Sequence, residues 1–471
     1  MILLAVLIGA YVVVFGTLTW AQQSNFGTFG FDMGIYDQGI WLLSRFKTPF
    51  VTVRGLNYFA NHLSLITVAF VPFYWLGAGP HFLYLVETVW MALGAVPLWL
   101  LARDRLANRW LPLGLVVSYL LYPALEWINW WHFHPDALTI TPLLFAWWLA
   151  SRRQWRWFAV AVAVALLCKE DVPLAVAALG LALMLRGQRR AGALTSVAGV
   201  AWFLLAVKVI IPEANGGSSP FYVQELFQGF GDSLGGILGN LITHPGRVLD
   251  LATQPDRLTY YRELLAPLAF LPLAAFDALL VALPQVAVNV LSSHALTHDI
   301  RYQYSSIVLA GMFLAAVESC ARLSGRVGMR RFLIGLVAAA SLAANVAWSP
   351  SPISVKYHSG IWATAQPEHA AAERALELVP SGAGVSATYY LVPHLTHRTH
   401  IYEFPNPWVM SYWGVRGSKP PDPATVDFLV VDRTLNPRYQ PLFDRLVGAG
   451  GQFRIIYQAD NIVVASRVRP G

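Results

Sequence analysis

Leu166-Leu167-Cys168-Lys169-Glu170-Asp171-Val172-Pro173-Leu174 places three charges inside an apolar run that extends from Trp157 to Leu185. As a single membrane span this run would bury all three charges in lipid, which is expensive. Pro173, just after the charges, cannot continue a helix without losing a hydrogen bond. The stretch therefore predicts two helices that meet at a polar turn. The second helix runs into Arg186, followed by Arg189 and Arg190.

The same alternation recurs along the chain. Arg-rich turns lie at Arg103/Arg105/Arg109, Arg152/Arg153/Arg156, Arg186/Arg189/Arg190 and Arg322/Arg326/Arg330/Arg331. The intervening loops carry Asp, His, Trp and Tyr: Phe31-Asp32-Met33-Gly34-Ile35-Tyr36-Asp37, His132-Phe133-His134-Pro135-Asp136, Lys169-Glu170-Asp171 and His298-Asp299-Ile300-Arg301. Arg and Lys stay on the cytoplasmic side during insertion. The chemically equipped loops then fall on the outer face of a cytoplasmic membrane.

Composition agrees. The chain has 471 residues, 56% hydrophobic and 13% charged, with mean hydropathy +0.50. Soluble domains carry about 25% charged residues. The net charge of +7 sits mainly in the Arg-rich turns, so topology accounts for it and no nucleic-acid partner is implied. Cys168 and Cys320 offer neither a disulfide framework nor a cysteine metal site. Met1 to Trp20 is apolar, and Thr19-Trp20-Ala21 resembles a signal-peptide cleavage site. The long apolar region and the lack of a basic start favour a retained first helix.

A span needs about 20 apolar residues. Spans are expected near 1–20, 81–102, 110–125, 137–151, 157–168, 172–186, 192–211, 264–276, 278–293, 304–320 and 332–348, about 11 in all. If segment 62–77 spanned the bilayer, Arg103 to Arg109 would lie outside, so it is placed as a helix on the outer membrane surface. Residues 21–80 and 212–262 form two external loops; the second opens on Asn215-Gly216-Gly217-Ser218-Ser219-Pro220. Residues 1–350 thus make the transmembrane domain. From 351 to 471 the pattern changes: a helix from Pro367 to Val379, then strands at Gly384–Ala387, Val426–Val431, Phe453–Tyr457 and Ile462–Ala465. These predict a small α/β domain, placed outside the membrane.

Each polar loop has two readings. Asp32 and Asp37 could deprotonate an acceptor hydroxyl or bind a divalent cation such as magnesium or manganese. Equally, Asp32 could cap a helix covering Gln38 to Ser44. His132, His134 and Asp136 follow Trp127, Trp130 and Trp131: either a metal or substrate site, or an interfacial aromatic belt with a capping Asp. Asp32, Asp37, His134 and Asp136 are the metal candidates. Lys169 suits a phosphate as a compact point charge, with Glu170 and Asp171 beside it; the alternative is a self-neutralised Lys–Glu pair. Arg301, with His298, Asp299, Tyr302 and Tyr304, could grip a diphosphate or anchor a helix at the interface. His394, His397, Arg398 and His400 form a cluster in the C-terminal domain, by default a polar loop surface; the alternative is that it faces the membrane site.

In this order the pieces resemble the GT-C superfamily of integral-membrane glycosyltransferases, which includes the aminoarabinose transferase acting on lipid A and the protein O-mannosyltransferases. An acidic residue follows the first helix there, as Phe31-Asp32-Met33-Gly34-Ile35-Tyr36 does here. Asn57-Tyr58-Phe59-Ala60-Asn61-His62 stands where a Tyr-Phe-Glu-Lys-Pro-Pro-like segment opens the surface helix. Pro135-Asp136 and Cys168-Lys169-Glu170-Asp171 take the places of the second-loop acid and the phosphate-binding Lys turn. Ala60-Asn61-His62 lacks the Lys and prolines, leaving Arg54 or His62 as substitute phosphate contacts. More closely, the whole chain resembles a bacterial family of predicted membrane proteins with F-D-x-G-x-x-D-Q, H-x-H-x-D and K-E-D elements.

The resemblance implies a polytopic α-helical membrane protein of GT-C-like fold with an extracytoplasmic α/β domain. It further implies inverting transfer from a polyprenyl-phosphate sugar to an extracytoplasmic lipid, glycan or protein. Asp32, with Asp37 nearby, would be the base. Lys169, Arg301, Arg54 and His62 would meet the donor phosphate. His132, His134, Asp136, Glu170, Asp171, His298, Asp299 and Tyr302 would position sugar or acceptor. Two competing readings are a flippase or transporter of a lipid-linked molecule and a non-catalytic membrane assembly protein. A transporter predicts midplane charges and an inverted repeat, and neither pattern is evident.

Overall fold

The computed structural model describes the chain except residues 109, 219, 221–224, 232, 324, 363–367, 413, 416–420, 435–436 and 469–471. Arg109, Ser219 and Pro367, singled out above, lie outside the described residues. The chain packs as two compact units: residues 1–19, 62–66 and 84–361, and residues 20–61, 67–83 and 362–471.

The first unit is helical. Among the described residues five helices are long and apolar enough to cross a membrane: Ile2–Ser24, Pro80–Leu106, Arg189–Ala214, Gln303–Leu323 and Val327–Trp348. They coincide with five of the expected spans. The other six are shorter or interrupted, and proline is the recurrent cause. The expected span 110–125 is split into Pro112–Leu120 and Pro123–Trp130. The 264–276 stretch is two short 3₁₀ turns around Pro267 and Pro272, with left-handed Ala269 and Phe270 between them. The 278–293 stretch breaks into Phe276–Leu279 and Leu283–Leu291. Interrupted helices survive at membrane depth when protein covers their open backbone groups.

The centre of this unit is Ser306–Leu323, whose side chains from Ser306 to Cys320 are all buried. Gly311 lets it approach the neighbouring backbone: a Cβ there would sit 2.6 Å from the Ala282 nitrogen. Trp155–Leu166 and Val172–Leu185 are separate helices joined by the polar turn at 169–171, as the sequence predicts. At the opposite end the Arg-rich turns converge on shared carboxylates. Arg105 and Arg186 both bind Glu318, at 3.0 and 2.9 Å, while Arg186 and Arg322 bind Asp277 at 2.8 and 2.6 Å.

The second unit contains a five-stranded sheet in the order Ile401–Glu403, Val385–Ala387, Phe428–Asp432, Ile462–Arg467, Phe453–Ala459. The first three strands are parallel and the last two antiparallel. Strand 401–403 was not expected; three residues between His400 and Phe404 give too short a periodic signal. The apolar face, including Leu429, Val431 and Val463, packs on Leu442, Phe443 and Leu446 of helix Gln440–Val447. Residues 20–61 belong to this body. Thr52 Oγ1 donates to the Ile401 carbonyl at 2.6 Å and accepts from its nitrogen at 3.0 Å, covering the sheet edge. Helix Ile35–Ser44 is tied in through Gln38, which donates to the Arg398 carbonyl at 3.3 Å.

Candidate functional site

The loop after the first helix forms a π-helical turn, Gly30–Gly34, which runs directly into Ile35–Ser44. Such turns are rare and recur at functional positions. Asp32 sits inside it and does not occupy the cap position, which is Phe29. Gly30 is needed here because a Cβ would lie 2.9 Å from Val392. The added carbon would also lie 3.3 Å from a Glu403 carboxylate oxygen, so Glu403 stands beside the turn. Burial and the nearby Asp32 carboxylate push Glu403 up to about 7. Two adjacent carboxyl groups resist ionising together. Glu403 is therefore protonated over a wider pH range than an ordinary glutamate.

Arg54 is buried in the same unit. Its Nε donates to Asn61 Oδ1 at 2.8 Å, and its guanidinium lies 5.5 Å from the centre of the Phe31 ring. Burial lowers it to about 10, so it remains a cation. The Tyr412 phenol is raised first by burial; it also feels Glu403, while Arg54 works the other way. Asp32, Glu403, Tyr412 and Arg54 therefore form one electrostatic group.

Asp37 has a different environment. It is fully buried and accepts from Tyr74 Oη at 2.6 Å and from Thr396 Oγ1, with His397 Nε2 at 3.2 Å. Burial opposes the charged form of His397, but Asp37 outweighs it and raises the imidazole above its ordinary value. Three donors hold Asp37 as a fixed acceptor. The expected polar cluster at 394–400 is largely this scaffold: Arg398 is buried and donates to the Leu395 and Ala383 carbonyls.

In the first unit, five predicted residues gather at the polar helix ends. Lys169 Nζ donates to Asp136 Oδ1 at 2.7 Å and lies 3.3 Å from Asp171 Oδ2. Its ammonium is 5.5 Å from the Tyr304 ring centre. Glu170 binds His62 Nδ1 at 2.7 Å and accepts from the Leu63 nitrogen at 3.0 Å. The self-neutralised pair foreseen for Lys169 thus exists with Asp136 and Asp171, not with Glu170. Burial opposes the Lys169 charge, but Asp136, Asp171 and Glu170 raise it well above its ordinary value. Burial raises Asp171 to about 6, with Lys169 opposing and Glu170 and Asp136 adding to the rise. Burial acts against Glu170 too, yet His62 and Lys169 hold it well below the usual carboxylate range.

Asp136 does not cap its helix; the cap position is His134, which makes no side-chain capping bond. The His134 nitrogen instead donates to Glu87 Oε1 at 3.1 Å, and its Nδ1 lies 3.2 Å from the His132 carbonyl. His132 is buried with φ at 105°, a conformation that costs a side-chain residue energy. Among the described residues no three His, Cys, Asp or Glu side chains converge to hold a metal ion.

Arg301 chelates Asp299, with Nη2 to Oδ2 at 2.6 Å and Nε to both oxygens at 3.0 and 3.1 Å. His298 Nε2 lies 3.1 Å from Asp256. These residues join Lys356, Glu263 and Trp348 around a cavity of about 620 Å³ at the polar end. Tyr302 stands outside that lining, its ring edge-on to Trp131 at 4.6 Å.

Glu403, Glu87 and Tyr412 were missed. Glu403 is separated from Asp32 by most of the chain, so spacing carries no signal. Glu87, an acid in an apolar span, could have been singled out by the cost of a charge in lipid.

No curated protein sequence matches the chain. Among solved structures, ArnT from Cupriavidus metallidurans in its apo state matches at 14% sequence identity and a TM-score of 0.58, covering 98% of this chain and 97% of that one. That likeness shows a shared fold across nearly the whole length. The model for a family described as predicted membrane protein (DUF2079) matches residues 23–464, and the chain belongs to that family.

Proposed function

We propose that the protein is a GT-C-type glycosyltransferase of the bacterial cytoplasmic membrane. It moves a sugar from a polyprenyl-phosphate donor to an extracytoplasmic acceptor, with inversion. Two observations carry this: the fold shared end to end with ArnT, and the loop elements that resemble those of GT-C glycosyltransferases. The positive-inside rule supports the orientation, since the Arg-rich turns meet at one end of the helices and the polar loops lie at the other.

Asp32 is the proposed base. It takes the proton of the acceptor hydroxyl as that oxygen bonds to the anomeric carbon. The bond from that carbon to the phosphate oxygen breaks, and the lipid phosphate leaves. The leaving group is already ionised and needs no strong acid. Arg54 is the proposed cation that offsets the charge gathering on the phosphate. Arg301 and Lys356 line a polar cavity of about 620 Å³ within the first unit. Lys169 is spent on two carboxylates, so its proposed task is to hold the 134–136 loop against the 169–171 turn.

An apolar groove of about 570 Å³ in the first unit, lined by residues such as Trp90, Leu93, Phe145, Trp157 and Val160, suits a polyprenyl chain. The test is transfer from a panel of polyprenyl-phosphate sugars, with and without magnesium or manganese, by wild type and Asp32→Asn. Consumption of one donor by wild type alone is expected. Equal turnover by both proteins would refute the assignment of Asp32.

A further inference from the structure

We propose that the aromatic-walled cavity of the second unit is the acceptor site, and that it takes an uncharged, hydroxyl-rich sugar. The cavity holds about 340 Å³. That is at the small end of ligand clefts, which run from about 300 to 1,000 Å³. Its walls come from the residues just past two parallel strands: Tyr389 and Tyr390 after Val385–Ala387, and Asp432 at the end of Phe428–Asp432. Ligands of open α/β sheets bind beyond the carboxyl ends of parallel strands. Glu403 ends the third parallel strand at the same edge.

The lining chemistry selects the ligand. Phe29 and Tyr389 face each other's edges at 5.1 Å and give apolar surfaces for the C–H face of a sugar ring. Asp432 accepts from Tyr390 Oη at 2.8 Å and from Thr434 Oγ1 at 2.7 Å, so it fixes the wall. The Glu368 carboxylate and the Tyr389 hydroxyl make no hydrogen bond among the described residues, which leaves them to meet sugar hydroxyls. The described lining contains two carboxylates and no Lys or Arg, so anionic ligands are disfavoured. The Gly30 nitrogen donates to the Tyr389 carbonyl at 2.9 Å, which ties the cavity wall to the turn that carries Asp32.

The acceptor role rests on the glycosyltransferase reading; the sugar-binding cavity does not. The experiment is saturation-transfer NMR on the full-length protein in nanodiscs, with methyl glucoside, methyl galactoside, methyl mannoside and glucose 6-phosphate as probes. Consumption of polyprenyl-phosphate sugar is followed in parallel. Expected is binding of at least one neutral glycoside and none of the phosphorylated sugar. Tyr389→Ala should weaken that binding by about tenfold, while Tyr389→Phe keeps the ring and most of the binding. Glu368→Gln, at a partly exposed position, should weaken binding without unfolding the protein. Undiminished binding in both Tyr389→Ala and Glu368→Gln would overturn the site. Donor consumption without any glycoside binding would overturn the cavity and leave the enzyme reading standing. Glycoside binding without consumption of any donor would overturn the acceptor role and the enzyme reading together.

Discussion

Lys169→Met should destabilise the first unit rather than merely weaken donor binding. The Lys169 and Asp136 side chains are each 5% exposed and meet at 2.7 Å. At an effective dielectric of about 20, that separation gives roughly 6 kcal/mol of gross attraction. Desolvation offsets much of it in the wild type. Met has nearly the same length but no charge, so Asp136 and Asp171 would face each other with no cation between them. Removing one partner of a buried pair costs about 3–5 kcal/mol. On the scale of domains of 150–250 residues, that lowers the thermal midpoint by on the order of 10 °C. The assay is the temperature at which detergent-purified protein loses its monodisperse chromatographic peak. Asp136→Asn added to Lys169→Met should recover part of the loss, because the double variant removes a stranded carboxylate. A midpoint for Lys169→Met within about 1 °C of wild type, or a double variant no better than the single, would refute the reasoning. It would also return Lys169 to the role of an available phosphate ligand.

Asp32→Asn should express and fold normally while losing transfer by about 10²–10⁴-fold, the usual worth of a positioned base. A donor-turnover assay on purified protein checks this. Glu403→Gln tests the carboxyl pair through pH. A folded-state value near 7, above the ordinary 4.5, means the native protein holds a proton that the unfolded chain releases. Wild-type stability should then fall as pH rises from about 4.5 to 7, and Glu403→Gln should remove that fall and melt higher than wild type at pH 8. Equal melting of the two proteins at pH 5 and pH 8 would refute the pairing. Asp37→Asn should cost about 2–3 kcal/mol of stability in the second unit, since bonds to a charged acceptor are lost. His397 is raised above its ordinary value, so its contribution is present at low pH and fades as pH rises through the folded value. Melting of Asp37→Asn should therefore lose pH dependence above about 6.5.

The layout of the chain was legible because insertion physics writes it locally. Arg at one set of turns and Asp, His and Trp at the other gave the helix ends, and Lys169-Glu170-Asp171 gave a turn between two helices where hydropathy alone would give one span. Proline effects at 267, 272 and 284 were harder to weigh, since a broken helix inside a membrane protein is stabilised by neighbours that the local sequence does not name. The individual loop residues were found, but their pairings were not. Lys169 beside Glu170 in sequence finds Asp136 in space, and the Gly30–Gly34 turn that carries Asp32 lies beside Glu403, 371 positions after Asp32. Asp37 looked like a second catalytic acid; its burial under Tyr74, Thr396 and His397 could be seen only once the 394–400 loop had folded onto it.

The most direct test of the central claim is a thermal-shift screen of the detergent-purified protein against polyprenyl-phosphate sugars, beside Asp32→Asn and Arg54→Ala. A ligand that binds the folded state raises its midpoint. The glycosyltransferase account predicts a rise for one sugar-lipid, retained in Asp32→Asn and diminished in Arg54→Ala. No rise for any donor, with or without a divalent cation, would contradict it.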